Sequence, residues 1–107
     1  IDYVEWSAPD LEAVKRFYAK AFGWTFTDYG PDYCDFAGAG IGGGFRRGAV
    51  QGGSTLVVLF SSDLEASERA VVAAGGTIST PAYGFPGGRR FHFRDPCGNE
   101  LAVWTPA

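Results

Sequence analysis

The chemistry open to this chain of 107 residues turns on one imidazole. His92 is its only histidine, and Cys34 and Cys97 are its only cysteines. Histidine ordinarily titrates near neutral pH, so His92 is the natural candidate for a general base or proton shuttle. It lies in Arg89-Arg90-Phe91-His92-Phe93-Arg94. In a strand, alternation sends Phe91 and Phe93 to a core and turns Arg90, His92 and Arg94 to the opposite face. Arg90 is then placed to pair with a ligand carboxylate or phosphate. The same inventory excludes a zinc centre built from several His and Cys ligands of one chain. It also excludes a disulfide-dense scaffold.

Composition narrows the class further. Hydrophobic residues make up 46% and charged residues 20%, an ordinary globular balance that argues against disorder. The net charge of −3 has the wrong sign for a broad nucleic-acid or anionic-membrane footprint. No apolar run approaches the length of a membrane span, and no signal peptide is visible. The expectation is a cytoplasmic protein with two reduced thiols, and neither nucleic acid nor membrane as partner.

Two helices must position the strands. Asp10, after Ser7-Ala8-Pro9, is a capping residue for a helix starting at Leu11, and Gly23 is its stop. Leu11, Val14, Tyr18, Ala21 and Phe22 recur at helical spacing. A second helix opens at Asp63 and stops at Gly75-Gly76. Short strands are expected over 1–6, 24–29, 33–37, 55–60, 77–80, 89–94 and 100–104, with a weaker one over 41–46 where three glycines intervene. Eight of the 16 glycines fall between Gly38 and Gly53, so a glycine-rich linker is expected after a close-packed strand. No helix follows Gly38-Ala39-Gly40, which rules out a nucleotide-binding loop there.

The helices also repeat. Asp10-Leu11-Glu12-Ala13 recurs as Asp63-Leu64-Glu65-Ala66, 53 residues on, and the same offset matches Gly23 to Gly76. The repeat keeps the preceding strand and the glycine stop. It predicts an α+β chain of two βαβββ modules, about 1–47 and 54–107, in a single domain. Side by side they would form a cupped mixed sheet with the helices outside. A concave face of this kind is where small ligands bind.

The chain resembles the vicinal oxygen chelate superfamily, which includes glyoxalase I, bleomycin-resistance proteins and extradiol dioxygenases. The resemblance rests on Ser7-Ala8-Pro9-Asp10-Leu11-Glu12 leading to Phe17-Tyr18 and Phe22-Gly23-Trp24, and on Phe93-Arg94-Asp95-Pro96-Cys97-Gly98-Asn99-Glu100-Leu101. It implies a glyoxalase-like fold and poses a metal question. Metal-dependent members carry ligands seven residues before each capping Asp, on the final strand, and near the end of the first module. Here those places are Tyr3, Leu56, Ala102 and the stretch from Ile41 to Phe45. They lack the usual ligand chemistry, so the expectation is no metal site, and metal-dependent glyoxalase I or dioxygenase activity is not expected.

The resemblance also implies which side chains face the cup. With Tyr3 inside, Glu5 and Ser7 follow by parity. With Ala102 inside, Glu100 and Trp104 follow. Glu5, His92 and Glu100 are therefore the expected catalytic constellation. Tyr3, Ser7, Tyr33, Phe60, Phe85, Arg90 and Trp104 are the expected ligand contacts, and the segment from Tyr83 to Gly88 is a candidate lid. Three readings follow. The favoured one is a metal-independent cup that binds or sequesters a small organic molecule. The second is a lyase or isomerase moving protons on a carbonyl substrate through His92 with Glu5 or Glu100. The third is a structural module whose cup is filled by its own side chains. A homodimer is expected in each case, as relatives are commonly dimeric.

Overall fold

The computed structural model describes residues 1–107. The elements run β1 (Tyr3–Ala8), α1 (Leu11–Phe22), β2 (Thr25–Asp28), β3 (Tyr33–Ala37), β4 (Gly42–Arg47), β5 (Val57–Phe60), α2 (Leu64–Ala73), β6 (Thr77–Phe85), β7 (Gly88–Arg94) and β8 (Glu100–Pro106). This is the expected pair of βαβββ modules. The helix signals act as local chemistry requires. Asp10 accepts from the Ala13 amide and Asp63 from the Ala66 amide, both at 3.1 Å. Gly23 takes φ +75° and closes α1 in the left-handed conformation.

The mixed sheet is two separately hydrogen-bonded sheets of identical topology, β1-β4-β3-β2 and β5-β8-β7-β6. In each, the first strand of the module pairs in parallel with the last, and the other pairings are antiparallel. The modules meet through their helices and one turn. Lys20 of α1 donates to the Ala73 carbonyl at the end of α2, at 2.9 Å, where α2 has no basic residue of its own. A Cβ on Gly76 would fall 2.7 Å from Val71 and 2.8 Å from Phe17, so only glycine lets the helices approach this closely. One continuous core of 15 buried residues, including Val14, Phe17, Tyr18, Phe45, Phe91 and Leu101, spans both modules.

The weaker strand expected over 41–46 is present as β4, with Gly42, Gly43 and Gly44 at its start between β1 and β3. A Cβ on Gly43 would lie 2.2 Å from the Phe36 ring and 2.3 Å from the Val4 carbonyl. The glycines there are packing requirements, not slack.

One segment departs from the sequence expectation: β6 runs to Phe85 instead of stopping at Thr80. Its register with β7 shifts between Ile78 and Thr80, and again between Thr80 and Tyr83. These are bulges, and an edge strand accommodates Pro81 at such a position. The segment from Tyr83 to Gly88 is accordingly not a lid loop. Phe85 pairs with Gly88 across a tight Pro86-Gly87 turn in which Gly87 has φ +109°.

Candidate functional site

The inner face of the second sheet is organised in rows across its four strands. One row reads Phe60, Trp104, Arg90, Tyr83, from β5 through β8 and β7 to β6. The next reads Val58, Ala102, His92, Thr80. In a third, Arg94 stands opposite Glu100. Directly opposed side chains on one face are near neighbours, so each row is a contact set. The core-facing residues Phe91, Phe93, Leu101 and Val103 are fully buried beneath. Tyr83 reaches this face through the second bulge: Thr80 and Tyr83 are three residues apart, while their partners His92 and Arg90 are two apart.

These side chains form one connected chain. Glu100 Oε2 lies 3.1 Å from His92 Nδ1, and Glu100 Oε1 accepts from Arg94 at 3.1 Å. His92 Nε2 lies 3.0 Å from the Tyr83 hydroxyl. Arg90 Nε donates to the same Tyr83 oxygen. The hydrogen bond from His92, followed by the attraction of Arg94, holds the Glu100 carboxyl below its ordinary pKa, so it is an acceptor only. The donors then order themselves. With the imidazole in its neutral form, the Nδ1 proton faces Glu100 and Nε2 accepts from Tyr83, whose oxygen accepts from Arg90. Apolar walls flank the chain. Arg90 Cζ lies 5.5 Å from the Tyr83 ring centroid and 5.7 Å from that of Phe85. Trp104 lies 6.0 Å from Phe60 and 6.5 Å from Phe85.

The first module presents a different face. The Tyr3 and Tyr33 hydroxyls bond to each other across β4. They close over Gly44, where a Cβ would lie 2.6 Å from one hydroxyl and 2.7 Å from the other. Burial, helped by Tyr3 and Glu5, raises the Tyr33 phenol well above its ordinary value. Glu5 lies 3.9 Å from Arg46. Ser7 is buried, and its carbonyl accepts from Asn99 at 3.0 Å, so it joins the modules instead of lining an open cup.

His92 and Glu100 are therefore brought together and Glu5 is not. Glu5 sits on β1 of the other module. It shares with Arg94 and Glu100 only the lining of a groove of ≈ 690 Å³ between the modules. Nowhere do three His, Cys, Asp or Glu side chains converge to hold a metal ion. Ala102 lies opposite His92 in register, where relatives would carry a ligand, and Leu56 precedes β5. The donor set does not fit the superfamily metal. Both cysteines are free thiols. Sequence reasoning missed the link from Tyr83 to His92. Tyr83 was visible as an aromatic, but no local signal announces the bulge that turns it inward.

A family model for the glyoxalase/bleomycin resistance protein/dioxygenase superfamily matches residues 1–103. Among solved structures, a glyoxalase/bleomycin resistance protein/dioxygenase family enzyme from Burkholderia phytofirmans PsJN superposes with TM-score 0.84 at 19% identity, over 100% of both chains. A glyoxalase-related enzyme from Fulvimarina pelagi gives 0.81 at 24% identity, over 98% of this chain and 86% of that one. TioX from Micromonospora sp. ML1 gives 0.77 at 22%, over 99% and 98%. No curated protein matches the chain significantly. At these identities the structural likeness is one of fold.

Proposed function

This chain belongs to the glyoxalase/bleomycin resistance protein/dioxygenase superfamily, and within it we propose a protein that binds a small organic molecule on the inner face of its second module without the superfamily's usual metal. One observation carries the reading. A fully connected polar chain from Arg94 through Glu100, His92 and Tyr83 to Arg90 stands on a face walled by Phe60, Phe85 and Trp104. Apolar walls with a few oriented polar groups are the usual make-up of a small-molecule site. A thermal-shift screen of a small-molecule library, repeated on His92→Ala and Trp104→Ala, tests it. Hits that raise the wild-type Tm and lose their effect in both variants are expected. A blank screen, or hits indifferent to both changes, refutes it.

The same chain favours proton transfer as a second reading. A hydroxyl bonded to an imidazole that a carboxylate orients is the arrangement of an acid–base relay. Incubating each hit with the protein and following it by proton NMR separates the two. Consumption of the hit that Tyr83→Phe and His92→Ala abolish marks an enzyme, and an unchanged hit marks a binder.

Homodimer formation is part of the proposal. Phe60 is 64% exposed, Val58 40% and Tyr3 46%. β1, β2, β5 and β6 are free sheet edges. Light scattering on the eluting protein is expected to give twice the chain mass, and a clean monomer counts against it. No helix is long and apolar enough to cross a membrane. Two free thiols suit a reducing compartment, and the cytoplasm is the proposed one.

A further inference from the structure

We infer that the ligand of the second module is a planar organic oxyanion, anchored by the Arg90 guanidinium between aromatic walls; this rests on the small-molecule reading above. The argument starts from charge. The chain as a whole carries −3. On the inner face of the second sheet, Arg90 and Arg94 contribute two positive charges and Glu100 one negative, against the sign of the molecule. Glu100 cannot neutralise Arg90, because one of its oxygens is engaged by His92 and the other by Arg94. No carboxylate lies within 4.0 Å of Arg90, whereas the other arginines on strands, Arg46, Arg47, Arg89 and Arg94, each have one.

The guanidinium is also pre-organised. Its Nε is fixed by the Tyr83 oxygen, its plane lies near the Tyr83 and Phe85 rings, and its strand partner is Trp104. Its two terminal nitrogens make no hydrogen bond within the protein. A half-buried, carboxylate-free guanidinium held by its inner nitrogen presents its outer fork to a carboxylate or phosphate. The ring of a planar ligand would then meet Trp104, Phe60 or Phe85. His92 and the Tyr83 hydroxyl add no competing negative charge.

The test uses three simple probes and amide NMR of the whole chain. Benzoate has ring and charge, benzamide has the ring alone, and acetate has the charge alone. Benzoate is expected to shift amides of β7 and β8 around Arg90 and Trp104, and to bind roughly tenfold or more tightly than either other probe. Phenyl phosphate is expected to behave like benzoate if the fork reads any oxyanion, and to bind no better than benzamide if it reads carboxylate alone. Both outcomes support the anchor.

In Arg90→Gln, benzoate is expected to fall to the level of benzamide. Arg90→Lys, which keeps the charge and loses the fork, falls between. The amide spectra report whether each variant is folded, and the lysine variant decides should the glutamine variant fail. Benzamide binding as tightly as benzoate overturns the anion assignment and leaves the broader reading standing. Acetate matching benzoate overturns the planar part, and no probe binding at all overturns the whole inference. The broader reading falls separately, on a blank library screen.

Discussion

Replacing Asp95 by Ala should loosen the joint between the two modules, and the structure sets the size of the effect. Asp95 is 4% exposed and Tyr18 fully buried. The Tyr18 hydroxyl, from the first module, donates to Asp95 Oδ2 at 3.0 Å. The amides of Cys97 and Asn99 both donate to Oδ1 at 3.0 Å, folding the turn before β8. That turn positions Asn99, whose side chain bonds the Ser7 carbonyl. Asp95→Ala strands a buried hydroxyl and a buried amide. At about 1–3 kcal/mol for each stranded donor, less what is regained by removing a desolvated carboxylate, the net loss is about 3 kcal/mol.

Tyr18→Phe removes one bond and leaves the turn intact, so its cost is about 1–1.5 kcal/mol. Urea unfolding read by circular dichroism gives both values, with m unchanged. In heating, Asp95→Ala should lower Tm by roughly 10–20 °C. The double variant should show coupling, because both changes remove the same bond. If Asp95→Ala costs no more than Tyr18→Phe, the carboxylate does not hold the turn and the reasoning fails.

Three further outcomes follow from the geometry. Burial raises the Asp95 pKa above the ordinary carboxyl value, against the pull of its hydrogen bonds. The folded state therefore holds this proton to higher pH than the unfolded chain does, and its contribution to stability is lost as pH rises through the raised pKa. Wild type compared with Asp95→Asn in urea unfolding from pH 3 upward should lose relative stability in that window, and a flat difference contradicts the assignment. Gly44→Ala places a Cβ 2.6 Å from the Cys34 carbonyl, which cannot swing aside as the tyrosine hydroxyls can. A loss of about 1–3 kcal/mol is expected, measured by urea unfolding. In Glu100→Gln, His92 loses the carboxylate that fixes its tautomer. The imidazole nitrogen NMR signals should show one dominant tautomer, with the proton on Nδ1, in wild type and a mixture in the variant. An unchanged pattern removes Glu100 from the orienting role.

What could be read along the chain was whatever depends on neighbours a few residues away. Asp10 and Asp63 cap their helices, Gly23 stops α1, and the repeated Asp-Leu-Glu-Ala marks two copies of one module. Alternation in Arg89 to Arg94 correctly separated Phe91 and Phe93 from Arg90 and His92, because parity is a property of a single strand. β3, over 33–37, has the expected bounds for the same reason.

The composition of the site depended on partners distant in sequence. Glu5 and Glu100 were equal candidates as partners of His92. Pairing of β7 with β8 sets Glu100 beside it, while Glu5 lies in the other module's sheet. Pro81 reads as the end of a strand. Pairing with β7 carries β6 past it through a bulge, and the bulge turns Tyr83 towards His92. The glycines of β4 read only as a weak strand until Phe36, Val4 and the tyrosine pair are packed against them. Caps, turns and alternation are short-range effects that a linear text contains. Register, bulges and close approach exist only once two strands have met, and in this protein they decide which polar groups share a face with its one histidine.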